Sequence, residues 1–187
     1  MSVLIANFMK WFGELLGWDA PQAPISPQKP QTADVLSPAP TAPQTPVSCL
    51  TTLYQEAVSN LGKHLTLNPS VNPEVGCAEA VSFILLNAGY SIPANGIPTV
   101  WGLIDWMLAN GFTETKSPVP GCVITACRAD RHPTEYAHIG IVLKHGIASN
   151  DSRLQYLGKF LENYSSISNW ELSFEQHGSE TRFFICG

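Results

Sequence analysis

Charge is what this sequence has least of. Only 13% of its 187 residues are charged, and ten Lys and Arg stand against fifteen Asp and Glu for a net charge of −5. The cations form no run or stripe, so the chain lacks the electrostatic footprint of a nucleic-acid binder. Cysteine is sparse as well. Cys49, Cys77, Cys122, Cys127 and Cys186 are odd in number and too thinly spread for a disulfide scaffold. Cys49 and Cys186 lie near the two ends of the folded part and leave a bridge open, but free thiols are the expectation. Cys122-x4-Cys127 is not a usual zinc spacing and the histidines do not complete one, so no metal is expected. No internal repeat is visible. At 44% hydrophobic, the composition suits a covered core rather than a disordered chain.

Long apolar runs are missing too. Residues 1–19 come nearest, with Leu4, Ile5, Phe8, Trp11, Phe12, Leu15 and Leu16 at steps of three and four. Asn7, Lys10 and Glu14 interrupt the run, which excludes a membrane span. A basic start and a small-residue cleavage site are absent, which reads against a classical signal peptide. The segment is expected to be an amphipathic helix that docks in the groove of a protein partner or packs on its own domain. A membrane surface is a weaker reading, because one lysine gives little attraction to anionic lipid. Residues 20–48 hold eight prolines, with Pro21, Pro24, Pro27 and Pro30 at every third position. They are expected to form a semi-rigid, polyproline-like linker. The working domain is then 49–187.

In that domain, helical spacing predicts helices over 51–64, 78–86 and 99–110, the third with Leu103, Ile104, Met107 and Leu108 inward. Short β-rich runs follow at 122–127, 137–143, 146–149 and 181–186, with a hairpin turn at 144–146. Helices first and strands after is the order of an α+β domain.

Three residues then stand out for chemistry. Cys77 opens the second helix, where unpaired backbone N–H groups and the helix dipole favour a thiolate. Taken singly, a buried core thiol is the commoner fate. His138 heads a strand and can project into a cleft from one face. Asn150 lies at the end of the next strand, where the hairpin brings it beside His138. There its oxygen would accept from a ring N–H and orient the imidazole. A plain turn residue is the duller reading of Asn150-Asp151-Ser152. Cys, His and Asn in this order form a nucleophile system more specific than any member. Glu79 is a candidate for substrate contact or for orienting a loop, with a first-turn acid that complements the helix dipole as the duller and preferred reading. It should point aside, because an inward carboxylate would raise the thiol pKa. His132 and Glu135 are candidates for the cleft rim. His64, His145 and His177 read as surface or structural.

The residues also carry a resemblance. Gly76-Cys77-Ala78-Glu79-Ala80-Val81, Val119-Pro120-Gly121-Cys122, His138-Ile139-Gly140-Ile141-Val142 and Ile147-Ala148-Ser149-Asn150-Asp151-Ser152 resemble motifs of the NlpC-type and CHAP-type cysteine peptidases and amidases of bacterial peptidoglycan. Glu162-Asn163-Tyr164 to Trp170 is similar to phage and prophage members. The resemblance covers roughly 66–186, with Cys122 where the family usually has Asp. It implies a papain-like fold, with helices packed on a small antiparallel sheet. It further implies a hydrolase of a stem-peptide amide, an endopeptidase rather than an amidase, with Cys77, His138 and Asn150 catalytic. The implied location is a phage virion or the bacterial cell envelope, and no cofactor is expected. Two alternatives remain: a catalytically silent part of a phage particle or secretion apparatus, and an acyltransferase using the same triad.

Overall fold

The computed structural model describes residues 46–131 and 137–187. The expected amphipathic helix over 1–19, the linker up to residue 45, and His132 and Glu135 lie outside the described residues. Within them the protein is α+β, as expected: four helices and a six-stranded antiparallel sheet.

Helix α1 (Pro46–Ser59) starts earlier than the sequence suggests, inside the last residues of the expected linker. Proline is tolerated in a first helical turn, where a missing N–H breaks no intrahelical bond. It also stops earlier. The Asn60 amide bonds back to Glu56 O at 2.9 Å, and the Gly62 N–H goes to Phe160 O at 2.8 Å. Those bonds turn residues 60–64 toward the sheet. Helix α2 (Cys77–Asn87) follows a one-turn 3-10 segment, Pro73–Val75, capped by the Asn72 side chain. Gly89, at φ 92°, takes the left-handed conformation that ends α2. Helix α3 (Val100–Ala109) is capped by the Thr99 hydroxyl, which accepts from the Gly102 N–H. Its buried side is Val100, Leu103, Ile104 and Met107, while Leu108, expected inward, is 45% exposed.

The strands are β1 (Phe112–Thr115), β2 (Val123–Cys127), β3 (His138–Val142), β4 (Ile147–Asn150), β5 (Phe160–Tyr164) and β6 (Glu180–Cys186), in the spatial order β1-β6-β2-β3-β4-β5. Helix α4 (Ile167–Glu175) joins β5 to β6. The sequence reading lacks β1, β5 and α4, because their polar residues hide the alternation. Strand β1 buries only Phe112 and α4 only Trp170.

The sheet is covered on both faces. Alternation along β2 and β3 sends Val123, Ile139 and Ile141 into one core, with Leu53, Ile84, Leu103 and Phe160. It sends Ile124, Ala126 and Val142 into a second, smaller core under Trp170. Gly140 is required where β3 meets β4, because a Cβ there would come within 2.5 Å of Ala148 O. Cys49 and Cys186 are disulfide-bonded, with Cα atoms 6.4 Å apart, and tie α1 to β6. This corrects the expectation of free thiols. Chain order does not show that α1 packs against the strand 137 residues away. Cys77, Cys122 and Cys127 are free and buried.

Candidate active site

Cys77 is the first residue of α2, and Gly76 before it offers no side-chain cap. The first-turn N–H groups are therefore left to the sulfur. Backbone N–H groups of Ile139, Ala78 and Cys77 itself do favour the thiolate, but burial outweighs them and pushes the thiol up to about 11. At 6% exposure Cys77 holds its proton at neutral pH. The easily ionised thiol expected from its helix position is not what the fold makes, because desolvation exceeds the dipole's pull.

His138 begins β3 and lies against α4. Its ring stacks on Trp170 at 5.4 Å and 24°, with Phe174 at 5.6 Å and the Tyr164 edge at 6.1 Å. This aromatic enclosure holds the imidazole down at about 4, against the opposing pull of the Asp151 charge. Its Nε2 lies 2.9 Å from Ser149 Oγ. The single Ser149 proton goes to Asn163 Oδ1, also at 2.9 Å. The Asn163 amide nitrogen in turn donates to Asn150 O at 3.5 Å, which fixes its orientation. Ser149 therefore accepts from Nε2–H, and Nδ1 carries the ring's lone pair, with no hydrogen-bond partner among the described residues.

The orienting partner of His138 is thus Ser149, backed by Asn163, and not Asn150. The register gives the reason. Gly140 pairs with Ser149, so His138 and Ser149 share one face of the sheet and Asn150 belongs to the other. The Asn150 amide nitrogen donates to Pro73 O at 2.8 Å, tying β4 to the turn that precedes Cys77. A β-bulge supplies Asn163. Opposite Ile147 and Ala148, strand β5 pairs through Tyr164 and Glu162, which leaves Asn163 as the extra residue. The bulge turns Asn163 and Tyr164 to the same face, one toward Ser149 and one toward His138. Sequence reasoning passes over both Ser149 and Asn163; the one signal for Asn163 is its place in the Glu162-Asn163-Tyr164 motif.

Cys77 and His138 line one cavity of about 900 Å³, and Asn150, Asn163, Tyr164 and Trp101 are also on its wall. Arg131, Arg153 and His177 line it too, so His177 is not merely a surface residue. Asp151 is 2% exposed beneath Arg153, whose guanidinium holds its carboxyl below the usual carboxylate range. Tyr164 is pushed up to about 12 by burial first, with the charges of Asp151 and Cys77 adding to the effect.

Glu79 is not in this cavity. It is 2% exposed, and its carboxylate accepts from the backbone N–H groups of Leu67 and Asn68 and from the Thr66 hydroxyl. It clamps the loop at 66–68 and points aside, and the expected substrate contact gives way to the loop role. Burial, not a neighbouring carboxylate, raises Cys77. Among the described residues no group of three His, Cys, Asp or Glu is placed to hold a metal ion.

Chemically, the cavity brings together a neutral thiol, an imidazole of fixed tautomer and the open start of a helix. Compared with known proteins, the chain matches no family model and no curated protein.

Proposed function

We propose that the domain is a papain-like cysteine hydrolase of a cell-wall stem-peptide amide, an endopeptidase rather than an amidase. One observation carries the reading: Cys77 and His138 share a cavity in which Ser149 occupies Nε2 and leaves Nδ1 as the ring's acceptor. With both partners neutral at rest, attack and proton transfer go together. The Cys77 proton moves to Nδ1 as the sulfur bonds to the carbonyl carbon. N–H groups at the start of α2 stabilise the oxyanion. The C–N bond then breaks, the amine leaves with the proton from Nδ1, and a thioester remains. Water, losing its proton to the same nitrogen, hydrolyses the thioester and frees the acid and the thiol.

The Cys49–Cys186 disulfide supports an oxidising location such as the cell envelope or a particle acting from outside it. Digestion of purified sacculi, with fragments identified by mass spectrometry, tests the activity and names the bond. Cys77→Ser is expected to abolish release with the fold intact, and retained release overturns the assignment.

A second reading, a catalytically silent part of a phage particle or secretion apparatus, is favoured by the burial of Cys77 and its raised thiol. Iodoacetamide separates the two at neutral pH. A working nucleophile on the cavity wall alkylates faster than Cys122, which is fully buried in the second core. Equal rates favour the silent domain.

A further inference from the structure

Two arginines reach the cavity, and they are held differently. Arg131 stacks over Trp101 at 5.0 Å, and its terminal fork is taken: Nη1 and Nη2 donate to the two oxygens of Asp105 at 3.0 and 2.6 Å. Arg153 stacks over Tyr156 at 5.1 Å, but Asp151 holds it from the side. Its Nε donates to both Asp151 oxygens at 3.0 Å, and its Nη2 donates to Asp151 Oδ2. Among the described residues Nη1 has no partner. The terminal fork, formed by Nη1 and the outer hydrogen of Nη2, is therefore open, and the Arg153 side chain is 58% exposed.

The site is built rather than incidental. The Asp151 carboxylate also accepts from the Arg153 backbone N–H at 2.8 Å, which fixes the start of the side chain as well as its end. With the base, the guanidinium edge and the ring face all restrained, the arginine loses little freedom on taking a ligand. Asp151 and Glu74 also line the cavity, but Asp151 is 2% exposed and engaged on the inner edge of Arg153, so the outer edge of the guanidinium is the cationic group offered at this point of the wall. A planar fork of this kind fits a carboxylate in bidentate fashion. Tyr164 relates the fork to the chemistry: it lies against His138 and within electrostatic reach of Cys77, Asp151 and Arg153.

We propose that Arg153 is the specificity residue of the cleft and binds a free carboxylate that the peptide substrate carries near its scissile amide. The proposal rests on the hydrolase reading for the word substrate, though not for the binding. Its substrates are acidic peptides, and converting that carboxylate to a carboxamide removes the partner of the fork. Arg131 does not compete for this role, since Asp105 already fills the matching edge.

Titration calorimetry on the Cys77→Ser protein tests it, with synthetic stem peptides identical except that their carboxylates are free in one and carboxamides in the other. The free acid is expected to bind at least about tenfold more tightly. Adding Arg153→Gln should level the two affinities, and Arg153→Lys, which keeps the charge but not the fork, should keep part of the gap. Equal binding of acid and amide, a gap that survives Arg153→Gln, or no binding of either at millimolar concentration overturns the proposal. Thermal melts check the fold of Arg153→Gln, which leaves Asp151 without its guanidinium. Should that variant not fold, the acid and amide pair on Cys77→Ser and Arg153→Lys still decides. Turnover by the unmodified protein is read separately. An intact gap without turnover sinks the hydrolase reading and leaves Arg153 standing, and turnover without a gap does the reverse.

Discussion

The two faces of the sheet do different work, and strand β3 has a foot in each. On one face Ile139 and Ile141 join a large apolar core under α1, α2 and α3. On the other, His138 and Val142 meet α4, where the core is small and a polar chain of His138, Ser149 and Asn163 runs along its edge. Cys77 belongs to the large core and His138 to the opposite face, yet both reach the same cavity. The large core gives a rigid mount for the helix that carries the thiol. The aromatic face gives a base of fixed tautomer. In both cases burial keeps the group neutral, so the same desolvation that stabilises the domain sets the protonation of its candidate catalytic pair.

Substitutions on either side break or sharpen this contrast. The widest gap is expected between His138→Ala and Ile141→Ala. The first should lower sacculus hydrolysis by about 10²–10⁴-fold. The second should cost about 2–5 kcal/mol in urea denaturation, with the rate of the folded fraction unchanged. Trp170→Ala tests whether the small core serves both ends. It should cost about 3–5 kcal/mol and, by admitting water, move the His138 titration seen by NMR up from about 4 toward its ordinary value. Breaking the Cys49–Cys186 bond by Cys186→Ser should lower stability by about 2–4 kcal/mol. It should leave the polar chain's effect on rate in place. Ser149→Ala should lower kcat by about tenfold or more, while Ser149→Thr, which keeps a hydroxyl, restores most of it.

A further expected effect is one of pH. The folded His138 takes its proton only near 4, while the unfolded chain takes it near the ordinary 6.5. Between these values the unfolded state binds more protons, so stability falls as pH drops from 6.5 toward 4 and this contribution levels off below. Melting curves of the protein and of His138→Gln across that range should differ in slope, and equal slopes would show that His138 is not held neutral by its enclosure.

Much of the fold was legible in the residues. Helices α2 and α3 and strands β2, β3, β4 and β6 lie where periodicity places them, because each carries a readable apolar run: β2, β3 and β4 bury nearly all of theirs, and β6 buries Phe184 and Cys186. Strand β5 and α4 were not, since each buries a single large side chain, Phe160 or Trp170, and lies among polar neighbours. Of the candidate site, Cys77 and His138 were readable from type, position and spacing, and both line the cavity. Asn150 was misread in its role because a hairpin gives proximity but not parity: one step in register decides which face a side chain takes.

The sequence by itself determined the α+β order, a cysteine at a helix start and a histidine at a strand head, since these follow from local patterns of apolar and breaking residues. The tertiary structure alone decided the rest. It paired Cys49 with Cys186, bulged β5 so that Asn163 backs Ser149, and left the terminal fork of Arg153 open over Asp151. It also reversed the expected ionisation of Cys77, because the cost of burying a charge is set by everything packed around the sulfur and not by the turn of helix that presents it.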